Sequence, residues 1–171
     1  MTVMDGILLI TVALCLITDI REQKIYNKVL LPALVTGLAA NVILHGLPGL
    51  LSSIQGLLLG MGLLILPFFA GGIGAGDVKL MGVVGVLKGP AFVFQAFLLT
   101  AIAGGVIALI LLAKNRVMGE TLRRMGTAFL SLLLMVPRGA VLEGLHQSRV
   151  MVAFPYGIAI SVGTLLAYFV G

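Results

Sequence analysis

An all-α integral membrane bundle of about six transmembrane helices, with a glycine-rich loop ahead of a short fourth span, is the architecture this sequence predicts. Two observations carry that prediction. Of 171 residues, 60% are hydrophobic and 10% are charged, against roughly 25% charged in ordinary soluble proteins. One core in a chain of this length cannot hide so much apolar surface, and lipid takes the surplus. Apolar windows then recur along the chain, at residues 3–20, 29–44, 50–70, 78–88, 91–113 and 150–171.

The first window opens Met1-Thr2-Val3-Met4-Asp5, with no Lys or Arg ahead of the apolar run and no A-x-A site behind it, so it is expected to be a retained span. Only residues 6–18 of it are uncharged. That is roughly 20 Å of helix against ~30 Å of hydrocarbon, which submerges either Asp5 or Asp19. Asp19 is the expected one, with Asp5 among the outer head groups. The second and third windows are joined by the short uncharged segment His45-Gly46-Leu47-Pro48-Gly49. The fourth is too short: Val78 to Leu87 makes about 15 Å of helix before Lys88, so the loop ahead of Val78 is expected to start inside the membrane. Gly89-Pro90 makes a tight turn into the fifth, because proline has no N–H to continue a helix and glycine relieves the backbone.

Between the fifth and sixth windows, residues 127–136 are apolar but too short to cross. They read either as an interfacial helix behind Arg123 and Arg124 or as a re-entrant segment over the site. Gly56 and Gly60, spaced G-x-x-x-G, and Gly82, Gly85 and Gly89 are expected to let helices approach closely in lipid. No internal repeat of the kind transporters use is visible, and residues 1–171 read as a single polytopic domain.

Eleven bases against six acids leave a net charge of +5. Few of the bases cluster with aromatics and there is no Trp, so the charge points to membrane orientation and not to nucleic acid. Arg21, Lys24, Lys28, Lys114, Arg116, Arg123, Arg124, Arg138 and Arg149 fall on one side of a six-span topology, with Lys79 at the same end; Lys88 alone falls opposite. The positive-inside rule then puts loops 21–28, 71–77 and 114–149 in the cytoplasm and both termini outside. The single Cys15 excludes a disulfide framework within the chain and a Cys-rich zinc site.

The six acids sort quickly. Glu22, Glu120 and Glu143 lie in basic loops, and Asp5 is external, which leaves Asp19 and Asp77 at the cytoplasmic ends of different spans. Ionisable groups at membrane depth are costly and usually functional. Two carboxylates brought together at low polarity hold one proton between them, so one acts as base and the other as acid. That pair can take a proton from a water attacking a peptide carbonyl and give one to the oxyanion and the leaving nitrogen. It requires no metal and no cofactor, and His45 and His146 lie on opposite sides in this topology, so no converging metal site is expected.

Asp77 sits in Gly71-Gly72-Ile73-Gly74-Ala75-Gly76-Asp77-Val78-Lys79-Leu80, where glycine lets the backbone bend and a substrate strand approach. A phosphate-cradling loop is the competitor, but the segment lacks the G-K-[ST] ending and the strand-helix context. Lys79 either reaches Asp77 and favours its ionised form or snorkels to head groups.

At these residues the sequence resembles a known family. Gly74-Ala75-Gly76-Asp77-Val78-Lys79-Leu80 is similar to the G-x-G-D-x-K-L motif of type IV prepilin peptidases. Asp19-Ile20-Arg21-Glu22-Gln23-Lys24-Ile25-Tyr26-Asn27 resembles the family's first aspartate block, D-x-x-x-x-x-I-P-N, with Tyr26 where Pro is common. Phe154-Pro155-Tyr156-Gly157 is similar to the family's carboxy-terminal P-[FY]-G segment. G-x-G-D alone also fits presenilin-like and signal-peptide-peptidase-like proteases; the following lysine and the early first aspartate favour prepilin peptidases.

The resemblance implies an aspartic endopeptidase of the bacterial or archaeal cytoplasmic membrane, with Asp19 and Asp77 catalytic. Gly74, Gly76, Lys79, Ile25, Asn27, Pro155, Tyr156 and Gly157 would bind substrate or shape the site. The implied partner is a prepilin or pseudopilin precursor, a short basic leader followed by a hydrophobic helix, cut on the cytoplasmic side. Long members carry a paired-cysteine cytoplasmic insertion associated with N-methylation; eight residues stand in that place here, so methyl transfer is expected to be absent. The compact form resembles the peptidases of Tad/Flp pilus systems, with archaeal preflagellin peptidases as neighbours. The alternative from another class is a small transporter or pilus-assembly subunit that uses buried carboxylates for proton or cation handling.

Overall fold

The computed structural model describes residues 2–69, 72–114 and 156–170. Every regular element among them is an α-helix: α1 (Val3–Glu22), α2 (Asn27–Phe69), α3 (Ala75–Lys114) and α4 (Tyr156–Val170). The first three contain stretches long and apolar enough to cross a membrane, whereas α4 is a shorter apolar helix. The chain divides into two compact units, Met1–Gly104 with Pro155–Gly171, and Gly105–Phe154. Of the second, the described part is the helical continuation of α3. The apolar segment 127–136, the loop 114–149 beyond Lys114, His146 and Pro155 lie outside the described residues.

The second and third apolar windows both fall on α2, and the fourth and fifth both fall on α3. Each of these helices carries one glycine in a conformation no helix contains, Gly46 (φ 62°, ψ −143°) and Gly89 (φ 83°, ψ 177°). At both, the chain doubles back. Asn41 Nδ2 and Ser53 Oγ, twelve residues apart around Gly46, both donate to the Val86 carbonyl, at 2.9 and 3.0 Å. In a continuous helix they would stand about 18 Å apart. Around Gly89, a β-carbon built on Gly60 would meet both the Met81 carbonyl oxygen at 2.5 Å and Val93 Cγ2 at 3.1 Å. Positive φ is open to glycine at little cost, and that is why the reversals fall there.

The Val86 carbonyl takes two side-chain donors for a local reason. Its helical partner would be the N–H of residue 90, which is Pro90 and has none. A carbonyl orphaned in lipid costs several kcal/mol, and Asn41 and Ser53 satisfy it.

The first arm of α3 is the buried axis of its unit. Leu80, Met81, Val83, Val84 and Val86 are all at most 1% exposed, and a helix apolar on every side belongs inside. Leu8, Val12 and Cys15 of α1 and Ile160 and Ala167 of α4 complete this core. Ile10, Leu31, Val35, Leu58, Leu66 and Ile102 remain exposed, as suits surfaces that meet acyl chains. Between arms, close approach comes from glycine: the Gly56 and Gly85 backbones touch so directly that a β-carbon on either would collide with the other's carbonyl. The small-residue spacing read from sequence is thus a packing device.

Candidate active site

α1 holds an acid near each end. Asp5, in the first turn, makes a capping box with Thr2, accepting from the Thr2 N–H at 2.6 Å while Thr2 Oγ1 accepts from the Asp5 N–H at 3.4 Å. Its carboxylate also pairs with the Lys88 ammonium, 83 residues away in sequence. That ammonium lies 5.5 Å from the Phe92 ring centroid and 5.1 Å from that of Tyr168, a cation–π setting. The expected head-group residue is therefore 6% exposed and locked into the fold. An ion pair between two elements so far apart leaves no trace in local sequence, although the topology did assign both to the outer side.

At the other end of α1, Asp19 is 6% exposed. Its Oδ2 accepts the Ile158 N–H of α4 at 3.1 Å, and the Gly157 N–H stands close by the same carboxylate. Both donors stand in the first turn of α4, where N–H groups have no partner within the helix and the dipole favours an anion. A β-carbon at Gly157 would fall 2.6 Å from Asp19 Cγ, so only glycine lets the carboxylate reach those amides. Asp77 stands in the first turn of α3, and its Oδ2 accepts the Gly74 N–H at 3.1 Å. That bond caps the helix start three residues earlier than the predicted fourth span begins.

Asp19 and Asp77 line one cavity of about 350 Å³, together with Gln23, Lys24, Ile25, Tyr26, Asn27, Gly74 and Gly76. Among the described residues neither carboxylate has a salt-bridge partner; the one ion pair found is Asp5 with Lys88. The two sequence blocks interlock around this cavity. A β-carbon at Gly76 would sit 2.9 Å from Ile25 Cβ, so glycine there admits the isoleucine. Lys79 Nζ donates to Asn27 Oδ1 at 3.1 Å. The asparagine two residues past Ile25 thus holds Lys79, and among the described residues no ion pair joins Lys79 to Asp77. Tyr26 donates its hydroxyl to the Glu22 carboxylate, which keeps the phenol above its ordinary pKa.

Asn27 and Lys79 also line a second recess, an apolar groove of about 280 Å³ walled by Leu30, Leu31, Leu34, Leu57, Met61 and Val83. The shared Asn27 makes groove and carboxylate cavity neighbours. Sequence reading missed Gln23, which caps α1 through its N–H to the Asp19 carbonyl at 2.9 Å, in the left-handed conformation (φ 51°, ψ 37°). A non-glycine there costs roughly 1–2 kcal/mol. The only hint was its place four residues past Asp19. Among the described residues no group of three or more His, Cys, Asp and Glu is placed to hold a metal ion.

Fold and cavity together define a helical membrane protein with two carboxylates, far apart in sequence, at one recess. A family model described as the type IV leader peptidase family matches residues 6–109, more than half of the chain, and the chain belongs to that family. It is accordingly a leader-peptidase-like protease, with prepilin-type precursors as the substrates the family implies. The match contains Asp19 and Asp77 and ends before Phe154-Pro155-Tyr156-Gly157. No curated protein and no solved structure matches the chain.

Proposed function

We propose that this protein is a membrane-embedded aspartic endopeptidase that removes the short basic leader of type IV prepilin-like precursors of the Flp/Tad type at the cytoplasmic face. The observation that carries the reading is the meeting of Asp19 and Asp77 at one cavity without a cation on either among the described residues. With one carboxylate ionised and the other protonated, the first takes a proton from a water as its oxygen attacks the scissile carbonyl. The second gives its proton to the carbonyl oxygen. Collapse of the tetrahedral intermediate breaks the C–N bond and returns a proton to the departing amine. The amides of Gly157 and Ile158 hold Asp19 in place, and the Gly74 amide holds Asp77.

The apolar groove beside the cavity suits the hydrophobic segment of such a substrate, since a chain lying along Leu30, Leu34 and Met61 reaches the carboxylates past Asn27. The reversals at Gly46 and Gly89 favour six crossings in one multi-pass domain of the cytoplasmic membrane. The bases at the carboxylate end favour that end as cytoplasmic. Ile25, Asn27, Lys79, Gly74, Gly76, Gly157 and Tyr156 shape the site, Tyr156 from the first position of α4, and the sequence match assigns Pro155 to the same role. The eight-residue stretch where long relatives carry the cysteine insertion argues for peptidase activity without methyl transfer.

The test is cleavage of a precursor with a basic leader and a hydrophobic helix by purified protein in detergent, beside Asp19→Asn and Asp77→Asn. Cleavage after the leader that disappears in both variants is the expected result. Well-folded protein that cleaves no such precursor, but carries protons or cations in vesicles, would replace this reading with that of a small transporter or assembly subunit.

A further inference from the structure

Gln23 is the one non-glycine with positive φ among the described residues. Helix ends of this geometry usually carry glycine, which has no β-carbon to strain, and sometimes asparagine. The backbone task of the position, donating the Gln23 N–H to the Asp19 carbonyl, a glycine performs equally well. What glutamine adds is a side chain, on an exposed residue that lines the cavity together with both aspartates. A residue kept in a costly backbone conformation beside a site points to a use for its side chain.

The chemistry of that side chain is specific. A carboxamide offers two N–H donors and an acceptor oxygen, and so can pair with both the C=O and the N–H of a peptide backbone. It is uncharged, so it neither neutralises the neighbouring carboxylates nor competes with them for a proton. Resting on the peptidase reading, we propose that Gln23 is a substrate-binding residue. Its carboxamide hydrogen-bonds the backbone of the peptide segment that flanks the bond cut between Asp19 and Asp77. The residue makes the same contact whatever side chains the leader carries, and so binds precursors by extended backbone and not by sequence.

Two substitutions separate backbone from side chain. Gln23→Gly keeps the left-handed turn and its N–H while deleting the carboxamide. Gln23→Asn keeps the amide on a shorter arm in a residue that tolerates the turn. Cleavage of a leader-plus-helix precursor by the full chain in detergent is measured as kcat and KM, with the melting temperature alongside. The expected result is a Gln23→Gly protein that melts at or above wild type yet loses about tenfold in kcat/KM, the scale of one neutral hydrogen bond. Gln23→Asn recovers part of that loss. Unchanged kcat/KM in Gln23→Gly overturns the proposal and leaves the peptidase reading standing. A fall in both melting temperature and cleavage assigns Gln23 to the fold and overturns it equally. A wild type that cleaves no such precursor removes both readings.

Discussion

One helix carries two buried acids, and the bundle treats them in opposite ways. At one end of α1, Asp5 is matched with the Lys88 ammonium, boxed by Thr2 and faced by the rings of Phe92 and Tyr168. At the other, among the described residues, Asp19 meets backbone amides of α4, and across the cavity Asp77 accepts from that of Gly74, with no cation on either. A buried charge whose task is structural is neutralised by a partner, because breaking such a pair is costly. A carboxylate held by fixed amides is oriented but keeps its charge available, which is what taking a proton from a bound water requires.

The sharpest way to break this contrast is to remove each acid in turn. Asp19→Asn and Asp77→Asn are expected to lower cleavage by about 10³-fold or more each with melting temperature held. The double variant should be little worse than either single one, because the two act as a unit; additive losses would mean independent roles. Next in size is Gly157→Ala. Its β-carbon displaces the Asp19 carboxylate from the α4 amides, and misplacement of that order costs about 100-fold in rate in a protein that still folds. Wild-type kcat in that variant would show that the amides do not position Asp19.

At the paired end the expected effect moves from rate to stability. Asp5→Ala leaves the Lys88 charge without its partner and should destabilise by about 1–3 kcal/mol, read as a lower melting temperature in detergent with kcat retained. Asp5→Ala combined with Lys88→Met should recover part of the loss, since removing both charges leaves none uncompensated. Smallest and of opposite sign is Gly62→Ala, where a β-carbon meets nothing within 4 Å. It should be neutral or stabilising by up to about 1 kcal/mol. Gly85→Ala is its contrast, colliding with the Gly56 backbone at a cost of about 1–3 kcal/mol.

The sequence was most legible where local chemistry leaves one choice. Gly89-Pro90 was expected to turn the chain and residues 45–49 to join two windows, and the backbone leaves helical geometry at Gly89 and Gly46, because positive φ and a missing N–H are properties of single residues. Asp19 and Asp77 stood out because few acids occur in so apolar a chain, and depth makes each one costly. What stayed hidden depends on partners distant in the chain. Lys79 lies two residues from Asp77, and reach to that acid was one of its two expected roles, yet it bonds Asn27, 52 residues away. The amides that hold Asp19 belong to Gly157 and Ile158, and backbone N–H groups are present in every sequence and so mark no position. Pairing of Asp5 with Lys88 was hidden for the same reason of distance.

The hold of α4 on Asp19 also decides what a minimal version of this protein must contain. A fragment ending at residue 109 would keep every residue of the family match and both aspartates, yet lose the two amides that aim one of them. The last helix is in effect a detachable half of the site. A polypeptide spanning 156–170, supplied separately and inserted into the same bilayer, has the contacts on which to complement such a fragment.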